Sequence, residues 1–185
     1  IVEISSRIKK IEDDEKAFGE IIDRVRASDG VIWGVPLYVF LVPSQYKRFI
    51  ELVSERNAAG AFAGKYAAVI TTSIHFFDHT AHNYMRAVCE DLGMNFAGSF
   101  SPDMYDIMKE EEREKLVAFA NAFFESIERK SPATRMFAPL VPGRLKYKSG
   151  TVPPVVDAGE KRVVIVTDAG PEHKNLAAMT GRLAL

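Results

Sequence analysis

Two short stretches and one cluster hold the residue types most able to do chemistry. Pro36, Leu37, Tyr38, Val39 and Phe40 follow an apolar run and put two aromatic rings on a segment that Pro36 releases from regular strand pairing. Such a segment either closes the end of a core or offers an apolar, water-poor surface to a ligand. Thr71, Thr72 and Ser73 end a second apolar run, followed by Ile74 and His75. Hydroxyls and free amides at a strand end can hold a polar ligand, or they can cap the next helix. His75, Asp78, His79 and His82 form the densest ionisable group in the chain. On a helix they would share one side, at a spacing that a divalent metal accepts. Three imidazoles so placed can equally cap a helix, meet an anionic ligand, move a proton or pack at a surface. No metal site is assigned.

Other reactive side chains read as structural. Cys89 lies mid-helix beside Val88 with no activating base, as a small buried hydrophobe does. Lys47 and Arg48 share a helix with Glu51 and Glu55, which suits surface ion pairs better than phosphate. Asp168, Glu172, His173, Lys174 and Asn175 lie between a predicted strand and helix, where a helix amino terminus can hold phosphate. Their acids and low glycine content favour a plain turn.

The elements that must position these groups alternate. A helical stripe of Ala17, Phe18, Ile21, Ile22 and Val25 leads to a strand over residues 30–33, whose continuous apolar character suits a strand covered on both faces. A helix over 43–56 follows, with Tyr46, Phe49, Ile50 and Val53 on one face. A strand over 65–73, a helix over 80–92 ended by Gly93, a weaker strand over 94–100 and a long amphipathic helix over 109–129 complete the series. Residues 1–10 read as a short strand or the tail of a loop. Strands alternating with helices imply an α/β fold with a parallel sheet and right-handed crossovers, and the turn after each strand lies where ligands bind.

The segment Gly34-Val35-Pro36-Leu37-Tyr38, followed by Pro43-Ser44-Gln45-Tyr46-Lys47-Arg48-Phe49-Ile50, resembles the central part of the NADPH-dependent FMN reductase and iron-sulfur flavoprotein group of flavodoxin-like proteins. The resemblance extends from about Ile11 to Lys130. It implies that residues 36–40 pack on a flavin ring, and that Thr71, Thr72, Ser73, His75 and Asp78 meet its pyrimidine oxygens or ribityl chain. The family often has small or glycine-rich residues at this second turn. This chain is bulkier there, with Ile74, His75, Phe76, Phe77, Asp78 and His79. The activity implied is that of an FMN-binding oxidoreductase domain, passing electrons between a reduced nicotinamide or an iron-sulfur centre and an acceptor. His75 and Tyr38 are the expected neighbours of the reactive ring, and no catalytic residue is assigned. A homodimer is also implied, with Phe76 and Phe77 available to a partner. The alternative is a non-catalytic binding or assembly module that keeps the sheet without the cofactor.

Family members open with a strand, a phosphate-gripping loop and a helix, and the iron-sulfur subgroup adds a cysteine motif. None of these precedes Ile11, and the chain starts at Ile1 and ends at Leu185 within a predicted helix. A fragment is therefore expected, with residues 1–130 as the carboxyl-terminal part of a flavodoxin-like domain. Residues 131–160 contain Pro132, Pro139, Pro142, Pro153 and Pro154 and read as a linker. Residues 161–185 open a second α/β unit, or supply a permuted strand over 162–167 that completes the first.

Composition narrows the function classes. With 185 residues, 47% of them apolar, the chain can bury a sizeable core. Its 24 basic and 25 acidic residues leave a net charge of −1, which argues against binding nucleic acid or a membrane surface by bulk charge. The single cysteine excludes an internal disulfide and fits the cytoplasmic location expected here. No apolar run approaches the ~20 residues that span a bilayer, and nothing resembles a signal peptide.

Overall fold

The computed structural model describes residues 1–73, 77–103, 105–141, 148, 150, 159, 160, 162, 164–170 and 172–183. The chain divides into two compact units, Ile1–Leu140 and Val141–Leu185.

The first unit opens with a 3-10 turn at Ser5–Arg7 and the helix α1 (Ile8–Asp13), followed by α2 (Glu15–Arg26). Residues 1–10 are thus neither strand nor loop tail throughout. Ile4, Ile8 and Ile11 recur at helical spacing, and Ile4 and Ile11 are buried in the main core. Asp14 separates the helices and caps the second, its Oδ1 accepting from the Lys16 and Ala17 amides at 2.9 and 3.3 Å.

Three parallel strands follow: β1 (Gly30–Pro36), β2 (Tyr66–Thr72) and β3 (Asn95–Phe100), in the order β1-β2-β3. Between them run α3 (Ser44–Glu55) and α4 (Asp78–Asp91), and α5 (Glu110–Glu128) comes after β3. The register sets Gly30 opposite Tyr66 and Pro36 opposite Thr72, so β1 and β2 release the chain at the same end. Gly93, at φ 73°, ends α4 in the left-handed conformation, and the Met94 amide reaches back to the Cys89 carbonyl at 2.9 Å.

The sheet alternation divides the core. Trp33, Val35, Ala67 and Val69 join Phe18, Ile22, Phe49, Leu52, Met85 and Cys89 on one face. On the other, Tyr66 and Ala68 meet Phe123, with Phe119 and Ile127 packed against them. Gly30 lies so close to α5 that a Cβ there would fall 2.8 Å from Phe123 Cζ and 2.9 Å from Ile127 Cδ1. Coverage by α5 does not extend along β1, and Ile32 remains 44% exposed. The expectation of a first strand buried on both faces therefore holds for one face only. The strand also runs on to Pro36, because Pro36 sits at its last position, where the missing amide disrupts no further rung.

In the second unit the described residues include α6 (Lys174–Leu183). No strand forms among the described residues of 162–167, where Val164 and Val166 are 84% and 92% exposed. A lone apolar run needs a neighbouring strand to pair with, and none lies among the described residues of this unit.

Candidate functional site

Parallel pairing gathers three turns at one end of the sheet. Leu37 N donates to Thr72 O at 3.0 Å, which locks the exit of β1 to the exit of β2, and Ser73 forms a parallel bridge with Asp103 beyond β3. The first turn is a tight hairpin in which Tyr38 and Leu41 exchange two backbone hydrogen bonds, at 2.9 and 3.1 Å. Its two central residues, Val39 and Phe40, have φ of 41° and 73°. This is the turn class normally filled by glycine and asparagine, and holding a β-branched residue there costs about 1–3 kcal/mol. The strained tip leaves Tyr38 62% and Val39 81% exposed.

The second turn leads into α4 through Phe77, also left-handed at φ 58°. The Thr80 hydroxyl donates to the Phe77 carbonyl at 2.7 Å and also reaches the Phe40 carbonyl. The Phe40 and Phe77 rings meet edge to face with centroids 4.8 Å apart, a favourable quadrupolar arrangement. The two turns therefore touch, and Tyr38, Phe40 and Phe77 form an exposed aromatic ledge beside the exposed Thr72.

Beneath the ledge lies a polar network. Thr71, fully buried, is 2.8 Å from His82 Nε2 and donates to Ser101 Oγ at 3.0 Å. Ser101 in turn donates to Asp78 Oδ2, and Ser73 donates to Asp78 Oδ1 at 2.6 Å. Burial lowers the affinity of His82 for a proton, partly opposed by the Asp78 charge and reinforced by His79.

Of the residues singled out in the sequence, Pro36, Leu37, Tyr38, Val39 and Phe40 build the first turn, and Thr72 and Ser73 lie beside it. Thr71 and Asp78 belong to the polar network below, Asp78 being half-buried. His75 and Phe76 lie outside the described residues. Ser101 and Thr80 were not anticipated. Ser101 stands one residue past a weak strand, where a hydroxyl at the common sheet end was the available signal. Among the described residues no group of histidine, cysteine and acidic side chains could hold a metal ion. Cys89 is fully buried, and burial with the neighbouring Glu90 charge pushes its thiol up to about 12, too high for a nucleophile. Arg48 pairs with Glu12, Glu51 and Glu55 at 2.7–3.1 Å, as a surface cluster does. A cleft of about 330 Å³ lies away from the turns, beside the amino-terminal half of β1, lined by Val2, Ile4, Ile21, Val25 and Ile32 among others. Its lining is largely apolar and brings no reactive cluster together.

Comparison with known proteins points to one group. The FMN-dependent NADH:quinone oxidoreductase of Psychromonas ingrahamii (strain DSM 17664 / CCUG 51855 / 37) is 26% identical over 122 residues, covering 55% of this chain and 59% of that protein. The protein of the same name from Vibrio parahaemolyticus serotype O3:K6 (strain RIMD 2210633) is 31% identical over 87 residues, 40% of this chain and 45% of its own length. The chain thus spans about three-fifths or less of these curated relatives. Among solved structures, the apo form of the NADH:FMN oxidoreductase EmoB superposes with a TM-score of 0.53 at 20% identity, covering 70% of each chain. The flavoenzyme NAD(P)H:(acceptor) oxidoreductase FerB from Paracoccus denitrificans gives 0.50 at 21% identity, over 65% of this chain and 72% of FerB. These structures share the flavodoxin-like fold expected from the sequence. The family model described as NADPH-dependent FMN reductase matches residues 4–102, which run from the buried Ile4 through all three strands to the turn after β3. By that match, the chain belongs to the NADPH-dependent FMN reductase family.

Proposed function

We propose that the first unit contributes an FMN site at the carboxyl end of its sheet, and that the protein acts as an NAD(P)H-dependent flavin oxidoreductase. The observation that carries this reading is the exposed aromatic ledge of Tyr38, Phe40 and Phe77 beside the Thr72 strand end, on a turn strained to present it. A flat apolar ring with one polar edge fits such a surface. Because the two turns touch through Phe40 and Phe77, FMN would be held on the exposed side of the ledge. Tyr38 would pack on the ring, the Phe40–Phe77 pair holds the turn in place, and Thr72 and Ser73 would meet its polar edge. FMN, when bound, supplies the redox chemistry, and the protein supplies orientation and exclusion of water. Family membership and the names of the relatives support a reduced nicotinamide as donor. An iron-sulfur centre remains the alternative donor in this reading, with the acceptor unassigned. A homodimer through the exposed Phe77, with Phe76 outside the described residues, and a cytoplasmic location belong to the same proposal.

Titration of the purified protein with FMN, followed by quenching of flavin fluorescence, tests the site. Tight binding is expected, weakened five- to tenfold by Tyr38→Ala, the worth of one aromatic contact at ~1–1.4 kcal/mol. Sedimentation of the same sample reports the oligomeric state. A protein that takes up no FMN would instead favour the non-catalytic module.

A further inference from the structure

The hydrogen bonds below the aromatic ledge run in one direction. An ionised carboxylate only accepts, so Asp78 commits the protons of both Ser73 and Ser101. Ser101, its own proton spent, must accept from Thr71, and Thr71, its proton spent in turn, must accept from His82 Nε2. The tautomer of His82 is thereby fixed as Nε2–H, with Nδ1 left as the basic nitrogen. The chain of donors crosses three elements: His82 and Asp78 on α4, Thr71 on β2, and Ser101 just beyond β3. Its middle is dry, since Thr71 is fully buried, while His82 is half-buried and keeps access to water.

We propose that His82, Thr71, Ser101 and Asp78 form a proton relay that carries a proton from solvent to the turn bearing the flavin-contact residues, an inference that rests on the flavin reading above. In one passage His82 takes a proton from water at Nδ1 and gives up the proton at Nε2 to Thr71 Oγ1. Thr71 passes its own proton to Ser101 Oγ, and Ser101 passes its proton to Asp78 Oδ2. The products are a neutral imidazole with its proton on Nδ1, two intact hydroxyls and a neutral Asp78 carboxyl. One proton has moved and no electrons have. The starting direction returns once Asp78 gives its proton up, the hydroxyls rotate, and the His82 ring loses its Nδ1 proton to water and regains one at Nε2 or flips to bring the protonated nitrogen back to Thr71. Hydride exchange at a flavin requires a matching proton for any acceptor that leaves as a neutral hydride-plus-proton adduct, and a protonated Asp78, which starts α4 directly after Phe77 of the ledge, would be the source of that proton. Among the described residues, the charges acting on His82 are those of Asp78 and His79 on its own helix; β2 and the residue after β3 bring the Thr71 and Ser101 hydroxyls, and Asp103 further on pairs its backbone with Ser73. The low proton affinity of the half-buried His82 makes it a donor that empties readily.

Two measurements test the relay. Long-range proton–nitrogen correlation NMR on the ¹⁵N-labelled protein reads the His82 tautomer without any flavin. The Nε2–H form is expected at neutral pH in the wild type, with the preference lost in Ser101→Ala. A wild-type Nδ1–H tautomer, or a Ser101→Ala spectrum unchanged at His82, overturns the relay. In the FMN-loaded protein, Ser101→Ala is expected to slow acceptor reduction at least about tenfold and flatten its pH profile, with FMN affinity held within about twofold and activity restored by Ser101→Thr. Equal rates in Ser101→Ala and wild type across the pH range also overturn it. If no FMN binds, the flavin reading fails by itself, and the tautomer still reports whether the donor chain runs from His82 to Asp78.

Discussion

At the residue scale, Glu90 shows how a single buried carboxylate organises its surroundings. Its side chain is 4% exposed and receives Arg86 Nε at 2.8 Å and the Met136 and Phe137 amides at 2.9 Å each. Burial alone would raise its proton affinity, but the bonds from Arg86 and the two amides outweigh burial and hold the carboxyl below its ordinary range. A depressed carboxyl contributes stability that is complete above the unfolded-state value near 4.5 and is lost as pH falls through the lower folded-state value. Glu90→Ala strands a guanidinium and two amides, and is expected to cost on the order of 3 kcal/mol in urea unfolding at pH 7. In wild type, stability should fall on acidification below about pH 4.5, and the Glu90→Ala variant should lose less over that interval. A variant with wild-type stability would show that the bonds around Glu90 contribute nothing. The sequence showed Arg86 four residues earlier on the same helix but held no sign of the other two partners, the Met136 and Phe137 amides, which lie on an irregular segment more than forty residues away. Cys89, one residue earlier, was legible as a buried hydrophobe because its helical position and neighbour alone decide its burial.

At the element scale, period and punctuation carried most of the information. The strand β2 was readable from its apolar run and hydroxyl end, and α4 from its Gly93 stop, because backbone sterics and burial act locally there. The hairpin at residues 38–41 was not readable, since Val39 and Phe40 occupy left-handed positions that local chemistry disfavours and that tertiary contacts through Thr80 and Phe77 hold in place. The helix α1 was missed for a related reason, as its apolar stripe is too short to show a period before the core completes it. Contact between elements also gives Gly30 its purpose. With Phe123 Cζ and Ile127 Cδ1 under 3 Å from any Cβ, Gly30→Ala must displace the Phe123 ring and the Ile127 tip or the helix that carries them. Overpacking of this size is expected to cost about 1–2 kcal/mol, and Phe123→Leu in the same chain should recover part of it. Chemical unfolding of the single and double variants checks this, and simple additivity of the two losses would contradict the contact.

For the whole molecule, the limit of the first unit follows from where the chain stops being anchored. All buried hydrophobic residues among those described lie between Ile4 and Phe123, yet the unit extends to Leu140. The residues after α5, read from their prolines as the beginning of a linker, are tied down along their length. Tyr66 Oη donates to the Ser131 carbonyl at 2.9 Å, Arg86 to the Thr134 carbonyl at 3.0 Å, Arg135 to the Glu90 carbonyl at 2.6 Å, and Leu140 N to Asp91 at 3.2 Å. Proline content marks the lack of helix or strand, but it does not distinguish a free linker from a strap whose backbone bonds go to side chains. A strap of this kind adds little apolar burial, so its contribution is polar and depends on every anchor being present. A chain ended after Leu140 is therefore expected to melt in one cooperative transition, whereas one ended after Lys130 loses the Ser131, Thr134, Arg135 and Leu140 anchors as well as the two amides bound by Glu90. With Glu90 and Arg86 then left to pair only with each other, the shorter chain should melt roughly 5–10 °C lower. Introducing Glu90→Ala separates the strap from the core: it should lower the melting temperature of the longer chain much more than that of the shorter one. Equal shifts in both chains would mean that residues 131–140 do not stabilise the unit they are bonded to.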